Sequence, residues 1–236
     1  MVILRIFRFN PMEDKNPRYV DFNIEERGGM TVLDALKVIK VEMDPSLSFR
    51  HSCRSAICGS CAVTINGKNK LACKTQIKSL KGKRIVVEPL PGYPVIKDLV
   101  VDWEPFFSQY RSMRPYLIAE SPPPAKERIQ SIEDRKKYDK PATCIMCAAC
   151  TTSCPVVWTD DRYLGPAALT KAWRFVADSR DEAKDERLSM VNNEYGVWRC
   201  HTMFRCMEAC PKEIDTTEAI ENLRREVIKR AVARRR

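Results

Sequence analysis

Apolar and polar positions change their period along the chain, and the change divides it in two. Val2–Phe9 is apolar and rich in strand-forming residues, with Arg5 and Arg8 set inside it. After a turn from Pro11 to Pro17, Tyr19-Val20-Asp21-Phe22-Asn23-Ile24 alternates with period two, which predicts a strand paired with the first. Gly28-Gly29 breaks that pattern. Thr31 with Asp34 three residues on reads as a capping box, and Leu33, Leu36 and Ile39 give the following helix one apolar stripe, ended by Asp44-Pro45. Ala62-Val63-Thr64-Ile65, Asn66-Gly67 and Lys68–Cys73 predict a hairpin with a two-residue turn. Ile85–Glu88 reads as a closing strand, and Val95–Trp103 as the segment that leads out of this domain.

Beyond Trp103 the period becomes helical. Phe106, Phe107 and Tyr110 begin a helical segment, and Pro122-Pro123-Pro124 marks a stiff surface turn. Ser131–Tyr138 is a charged helix candidate. Gly165-Pro166 opens a helix through Leu169, Trp173 and Val176. Asp178–Arg187 reads as a charged stretch with a solvated face. Asp215 and Glu218 precede a last helix with Ile220, Leu223 and Val227 on one side. The expectation is an α+β chain with domains at 1–103 and 104–236, each long enough to bury a core.

Charge adds a question about partners. The formal net charge is +10, and residues 62 to 87 hold Lys68, Lys70, Lys74, Lys78, Lys81, Lys83 and Arg84 with no acid. The chain ends in Arg234-Arg235-Arg236. Nucleic acid, anionic headgroups and an acidic protein all fit such a surface, as does simple solvation. No run of 18 apolar residues occurs, so no membrane-spanning helix is expected.

The 11 cysteines carry the chemistry. Their odd count, their spacing and the absence of a signal-peptide pattern favour metal ligation in a reducing compartment over disulfides. Cys53, Cys58 and Cys61 form C-x4-C-x2-C, with Cys73 at the end of the predicted hairpin. This is plant-type [2Fe-2S] spacing, and Gly59 lets the loop turn closely and lend an amide toward sulfur. Cys144, Cys147, Cys150 and Cys154 form C-x2-C-x2-C-x3-C-P, the spacing in which three cysteines hold one cubane and the fourth serves another. Its partner is Cys200–Pro211, which reads C-x2-M-x2-C-x3-C-P with Met203 in place of the second cysteine. The crossover rule gives Cys144, Cys147, Cys150 and Cys210 to a [4Fe-4S] cluster. It leaves Cys154, Cys200 and Cys206, the ligand set of a [3Fe-4S] cluster, with Met203 packed over the vacant iron corner. Zinc is the competing reading of the C-x2-C pairs; with the charge it would make a nucleic-acid-binding module. No dinucleotide fingerprint, Walker loop or hydrolytic constellation is visible, so substrate chemistry is expected on another subunit.

In these motifs the chain resembles the iron–sulfur subunit of the succinate dehydrogenase and fumarate reductase family. The resemblance is carried nearly end to end by Ser52-Cys53-Arg54, Cys58-Gly59-Ser60-Cys61, Leu71-Ala72-Cys73, Ile96-Lys97-Asp98-Leu99-Val100, Cys144–Pro155, Leu164-Gly165-Pro166-Ala167, Asp178-Ser179-Arg180 and Cys200–Pro211. It implies a β-grasp [2Fe-2S] ferredoxin domain followed by an all-α helical ferredoxin domain. It implies a flavoprotein partner with FAD and the dicarboxylate site, and a membrane anchor, often with haem b, on the cytoplasmic face of a prokaryotic membrane. Electrons would run from FAD through the [2Fe-2S], [4Fe-4S] and [3Fe-4S] clusters to quinone, with no nucleic-acid partner.

Cys200-His201-Thr202 resembles the dehydrogenases and Ser55-Ala56-Ile57-Cys58 the fumarate reductases. Succinate oxidation is the preferred direction, with fumarate reduction or a soluble acceptor as alternatives. The positions matching the family's quinone pocket are Pro155, Trp158, Thr159, His201 and Met203. Trp158 also reads as a core residue, and His201 as a structural hydrogen-bonding group. Many dehydrogenases carry a second Trp where this chain has Thr159, which leaves the Trp hydrogen bond to quinone open.

Overall fold

Strand β1 (Val2–Arg8) lies between two others in a five-stranded sheet ordered β2-β1-β5-β3-β4. The computed structural model describes residues 1–233, so the predicted basic end Arg234–Arg236 lies outside the described residues. β2 (Arg18–Ile24) runs antiparallel to β1 with Leu4 opposite Phe22, as the alternation requires. Leu4, Ile6, Phe22 and Ile24 thereby share the buried face.

Helix α1 (Val32–Val38) starts on the expected capping box. Asp34 N donates to Thr31 Oγ1 at 3.2 Å, and Thr31 N donates back to Asp34 Oδ2 at 3.0 Å. Its predicted run to Asp44 is completed by a wider π turn, Ile39–Met43, closed by Asp44 N donating to Ile39 O at 2.7 Å. Strands β3 (Ala62–Ile65) and β4 (Lys68–Leu71) form the predicted hairpin, with Asn66 and Gly67 at φ 49° and 74°. Two successive left-handed residues twist a two-residue turn the way its strands twist. β5 (Arg84–Glu88) closes the sheet parallel to β1 and antiparallel to β3.

The segment expected to lead out is instead a small hairpin, β6 (Val95–Lys97) with β7 (Val100–Val101). The reason is Asp98. It sits at φ 48° and is 2 % exposed, and its carboxylate accepts from Arg8 Nε at 2.9 Å, Phe9 N at 3.1 Å and Ser48 N at 2.9 Å. The same network explains Arg8 inside an apolar strand: its remaining nitrogens donate to Asp44 and Ser46.

The chain forms two compact units, Met1–Trp103 with Ile145–Ser153, and Glu104–Cys144 with Cys154–Arg236. The second contains α2 (Glu104–Ser112), α3 (Ile132–Lys136) and α4 (Asp139–Ala142), while α5 (Ala149–Thr152) belongs with the first. It continues with α6 (Pro155–Thr159), α7 (Gly165–Val176), α8 (Lys184–Val191), α9 (Arg205–Glu208) and α10 (Thr216–Ala233). Its core joins Leu169, Ala172 and Val176 of α7 to Leu188 and Val191 of α8 and Ile220, Leu223 and Val227 of α10. Glu218 N donates to Asp215 Oδ1 at 2.7 Å, so Asp215 caps α10.

The solvated face expected for Asp178–Arg187 is corrected. Asp178, Asp181 and Arg187 are buried at 2 %, 8 % and 1 % exposure. Arg187 donates to Asp181 at 3.0 and 2.7 Å and to the carbonyls of Met113, Arg114 and Tyr116. Asp178 accepts from Arg174 at 2.7 Å and from Arg180. Buried charge persists because every group is paired, which spacing along the chain does not reveal.

Candidate metal centres

The Cys53–Cys61 loop is folded so that amides point at sulfur. Ser55, Ile57 and Cys58 donate backbone N–H to Cys53 Sγ at 3.4, 3.3 and 3.3 Å. That convergence requires Arg54, Ala56 and Gly59 at φ 56°, 55° and 74°. The amides aimed at Cys53 are thus those of Ser55, Ile57 and Cys58, where the sequence suggested Gly59. Ser60 Oγ donates to Cys58 Sγ at 3.3 Å and, with the Cys53 contacts, brings that thiol down to about 6. Cys61 is buried, which pushes its thiol up to about 12, and its sulfur accepts from Cys73 N at 3.5 Å. Donors gathered on sulfur favour the thiolate, the form that ligates metal. Donors on Cys53 and Cys58 thus favour thiolates, and with Cys61 and Cys73 beside them the residues fit a group held by four cysteines. Gly59 has a second role: a Cβ there would lie 2.8 Å from Cys147 Cβ and 3.0 Å from Ile145 O.

The two C-P motifs repeat in backbone conformation as well as spacing. Met146 and Ala148 stand at φ 53° and 59°, and Thr202 and Phe204 at φ 55° and 61°. Each second left-handed residue caps a short helix, α5 and α9 respectively. Met203 thus occupies the backbone register of Cys147. The thiol is 8 % exposed, whereas the Met203 side chain is 52 % exposed. Asn69 holds the first loop in place, donating to Ala149 O at 3.2 Å and Thr152 Oγ1 at 2.8 Å while accepting from Thr64 Oγ1 at 2.8 Å.

Cys154, Cys200 and Cys206 line one hollow in the second unit, with Tyr163, Thr217 and Ile220. Burial pushes the Cys154 and Cys206 thiols up, and the hydroxyls of Thr216 and Thr217 beside Cys206 act the other way. The Tyr163 hydroxyl lies against Cys200. Thr216 Oγ1 is buried without a hydrogen-bond partner. A buried orphan donor beside a thiol is the pattern expected where a sulfide-bearing group sits, so these residues fit the three-thiolate centre. Among the described residues no three His, Cys, Asp or Glu side chains converge as they would on a single ion. A cluster spreads its ligands over its own width.

Pro155, His201 and Met203 line the same hollow, but Trp158 and Thr159 do not. Trp158 is 47 % exposed, which removes the core reading, and the Arg205 guanidinium lies 5.9 Å from its ring centroid. Thr159 Oγ1 donates to Pro155 O at 3.3 Å and Val156 O at 3.0 Å, so its hydroxyl serves its own helix. His201 is exposed. Sequence reasoning missed Thr216, Tyr163 and Asn69. An N-terminal threonine pair on α10 was the available signal for the first; the other two become functional only through tertiary contact.

A sheet unit with a C-x4-C-x2-C loop, together with two C-P motifs that repeat in spacing and in backbone conformation, defines a multicentre iron–sulfur protein. The family described as 2Fe-2S iron-sulfur cluster binding domain matches residues 3–108, and the 4Fe-4S dicluster domain matches residues 136–211. The succinate dehydrogenase iron-sulfur subunit of Paracoccus denitrificans is 48 % identical over 96 % of this chain and 88 % of its own length. That of Coxiella burnetii is 45 % identical over 94 % of this chain and 95 % of its own. Among solved structures, a chain of the Mycobacterium smegmatis Sdh1 complex in its apo form superposes with a TM-score of 0.86 at 27 % identity, covering 97 % of this chain and 96 % of that one. The chain belongs to the family of succinate dehydrogenase iron–sulfur subunits. The zinc-module reading falls with that finding, and fumarate reduction or a soluble acceptor is not favoured.

Proposed function

We propose that this chain is the electron-transfer subunit of a membrane-associated succinate dehydrogenase. Cys53, Cys58, Cys61 and Cys73 hold a [2Fe-2S] cluster. Cys144, Cys147, Cys150 and Cys210 hold a [4Fe-4S] cluster. Cys154, Cys200 and Cys206 hold a [3Fe-4S] cluster. Bound there, the clusters supply a one-electron relay from the flavin of a partner flavoprotein to quinone. The single observation that carries the ligand reading is the backbone repeat, left-handed at 146 and 148 and again at 202 and 204. It puts Met203 where a fourth thiolate would be.

The chain's own residues do the rest. Amides and hydroxyls stabilise the thiolates, and burial of Cys61 and Cys147, with partial burial of Cys154, limits the access of water to the iron–sulfur bonds. The domains are taken as 1–103 and 104–236, with residues 145–153 packed in the first unit; the first docks on the flavoprotein and the second on an anchor at the cytoplasmic membrane face. No helix among the described residues is long and apolar enough to cross a membrane. Pro155, Trp158, Thr159, His201 and Met203 lie toward quinone. Exposure of Trp158 and Met203 supports such contact, while Thr159 lends its methyl because its hydroxyl is engaged.

Metal and sulfide analysis with EPR tests the ligand set. About nine irons per chain, no zinc, and an oxidised three-iron signal are expected. Ten irons with no such signal overturns it. Crosslinking that put Cys200–Pro211 beside the flavoprotein would sink the docking order.

A further inference from the structure

Thr216 is one of the buried polar groups of the second unit whose side chain finds no hydrogen-bond partner. It opens the 18-residue helix α10 and is 2 % exposed, and its hydroxyl has no hydrogen-bond partner in the protein. An isolated buried hydroxyl is destabilising, and a valine of the same shape would avoid that cost. Its placement is specific, because it stands beside the sulfur of Cys206. Cys206 shares its hollow with Cys154 and Cys200. The neighbouring Thr217 hydroxyl is the other one facing Cys206.

From this placement we infer that Thr216 Oγ1 donates a hydrogen bond to sulfur of the three-iron centre, either the Cys206 thiolate or an inorganic sulfide, and so tunes its potential. The inference rests on the assignment of Cys154, Cys200 and Cys206 as ligands. A donor on cluster sulfur stabilises the more negative, reduced state. One electron enters the centre, and the proton stays on the Thr216 oxygen throughout. Thr216 is a positioning residue, since it acts on the centre through sulfur and takes no part in bond making.

The test is potentiometric EPR of the three-iron signal in the cluster-loaded protein, for wild type, Thr216→Val and Thr216→Ser. Thr216→Val should lower the equilibrium constant for reduction about three- to tenfold, which is roughly 30 to 60 mV for one electron. Thr216→Ser should keep the wild-type potential. Thermal melting of the same samples discriminates. If Thr216→Val melts higher with an unchanged potential, the hydroxyl is merely an orphan and the inference fails. A wild-type protein without the three-iron signal refutes the ligand assignment instead. Should Thr216→Val not load, pulsed EPR of the wild type and Thr216→Ser in heavy water takes its place. A hydroxyl deuteron coupled to the centre in both supports the inference, and its absence overturns it.

Discussion

At the scale of single residues, one side chain can decide which cluster forms. Met203 carries a thioether, a weak neutral donor, in the register where Cys147 carries a thiol. Met203→Cys should convert the three-iron centre to a four-iron one and lower its potential through the added thiolate charge. Loss of the oxidised three-iron EPR signal with a gain of about one iron per chain checks this. Gly59 and Gly67 separate two costs of adding a methyl group. Both stand at φ 74°, but a Cβ at Gly67 meets nothing within 4 Å, whereas one at Gly59 meets Cys147 at 2.8 Å. Gly67→Ala should cost about 1–2 kcal/mol, for the left-handed backbone alone. Gly59→Ala should cost about 1–3 kcal/mol more and weaken [2Fe-2S] retention, because Cβ and backbone atoms must give way. Denaturant midpoints and the visible absorption of the two variants measure the difference.

At the scale of elements, the decisive contacts are those that tie irregular segments to helices. Residues 113–118 contain no helix or strand, yet Arg187 of α8 donates to three of their carbonyls and Asp181 accepts from Ile118 N at 3.1 Å. The loop's polar backbone is thereby satisfied without solvent. Arg187→Met removes one partner of a buried pair and strands the Asp181 carboxylate. The expected loss is about 3–5 kcal/mol. Urea unfolding reads it, and a loss below about 1 kcal/mol would mean that water reaches the site as readily as the guanidinium does.

At the scale of the whole molecule, acid sensitivity follows from carboxylates held low. Burial alone would raise Asp178, but hydrogen bonds from Arg180 and Arg174 hold it well below the usual carboxylate range. Asp160 is lowered by Arg162, and Asp34 by Thr31. Each is depressed in the folded state. Its stabilisation is therefore complete above the unfolded carboxylate value, near pH 4, and is lost as pH falls through the lower folded value. Asp178→Asn should be less stable than wild type at pH 7. The gap should narrow as pH drops below about 4, because the unfolded wild type then takes up a proton that folded Asp178 still resists. Parallel unfolding curves from pH 7 to pH 3 check this. Cluster loss in acid is common to both proteins and cancels in the comparison.

What the sequence determined by itself was whatever depends on local spacing. An apolar, β-rich run specified β1 and period-two alternation specified β2, Thr31 with Asp34 specified the start of α1, and Asn66-Gly67 specified the hairpin. The cysteine intervals named the candidate ligands, because loop-bound clusters need thiolates a few residues apart. Tertiary structure decided whatever depends on partners distant in sequence. It buried Asp178, Asp181 and Arg187, because guanidinium groups and carbonyls met them there. It turned residues 95–101 back as a hairpin, because Asp98 satisfies Arg8 across 90 positions of sequence. It also set Thr216 against Cys206. A threonine at a helix start looks like any other until the fold leaves its hydroxyl no partner but sulfur.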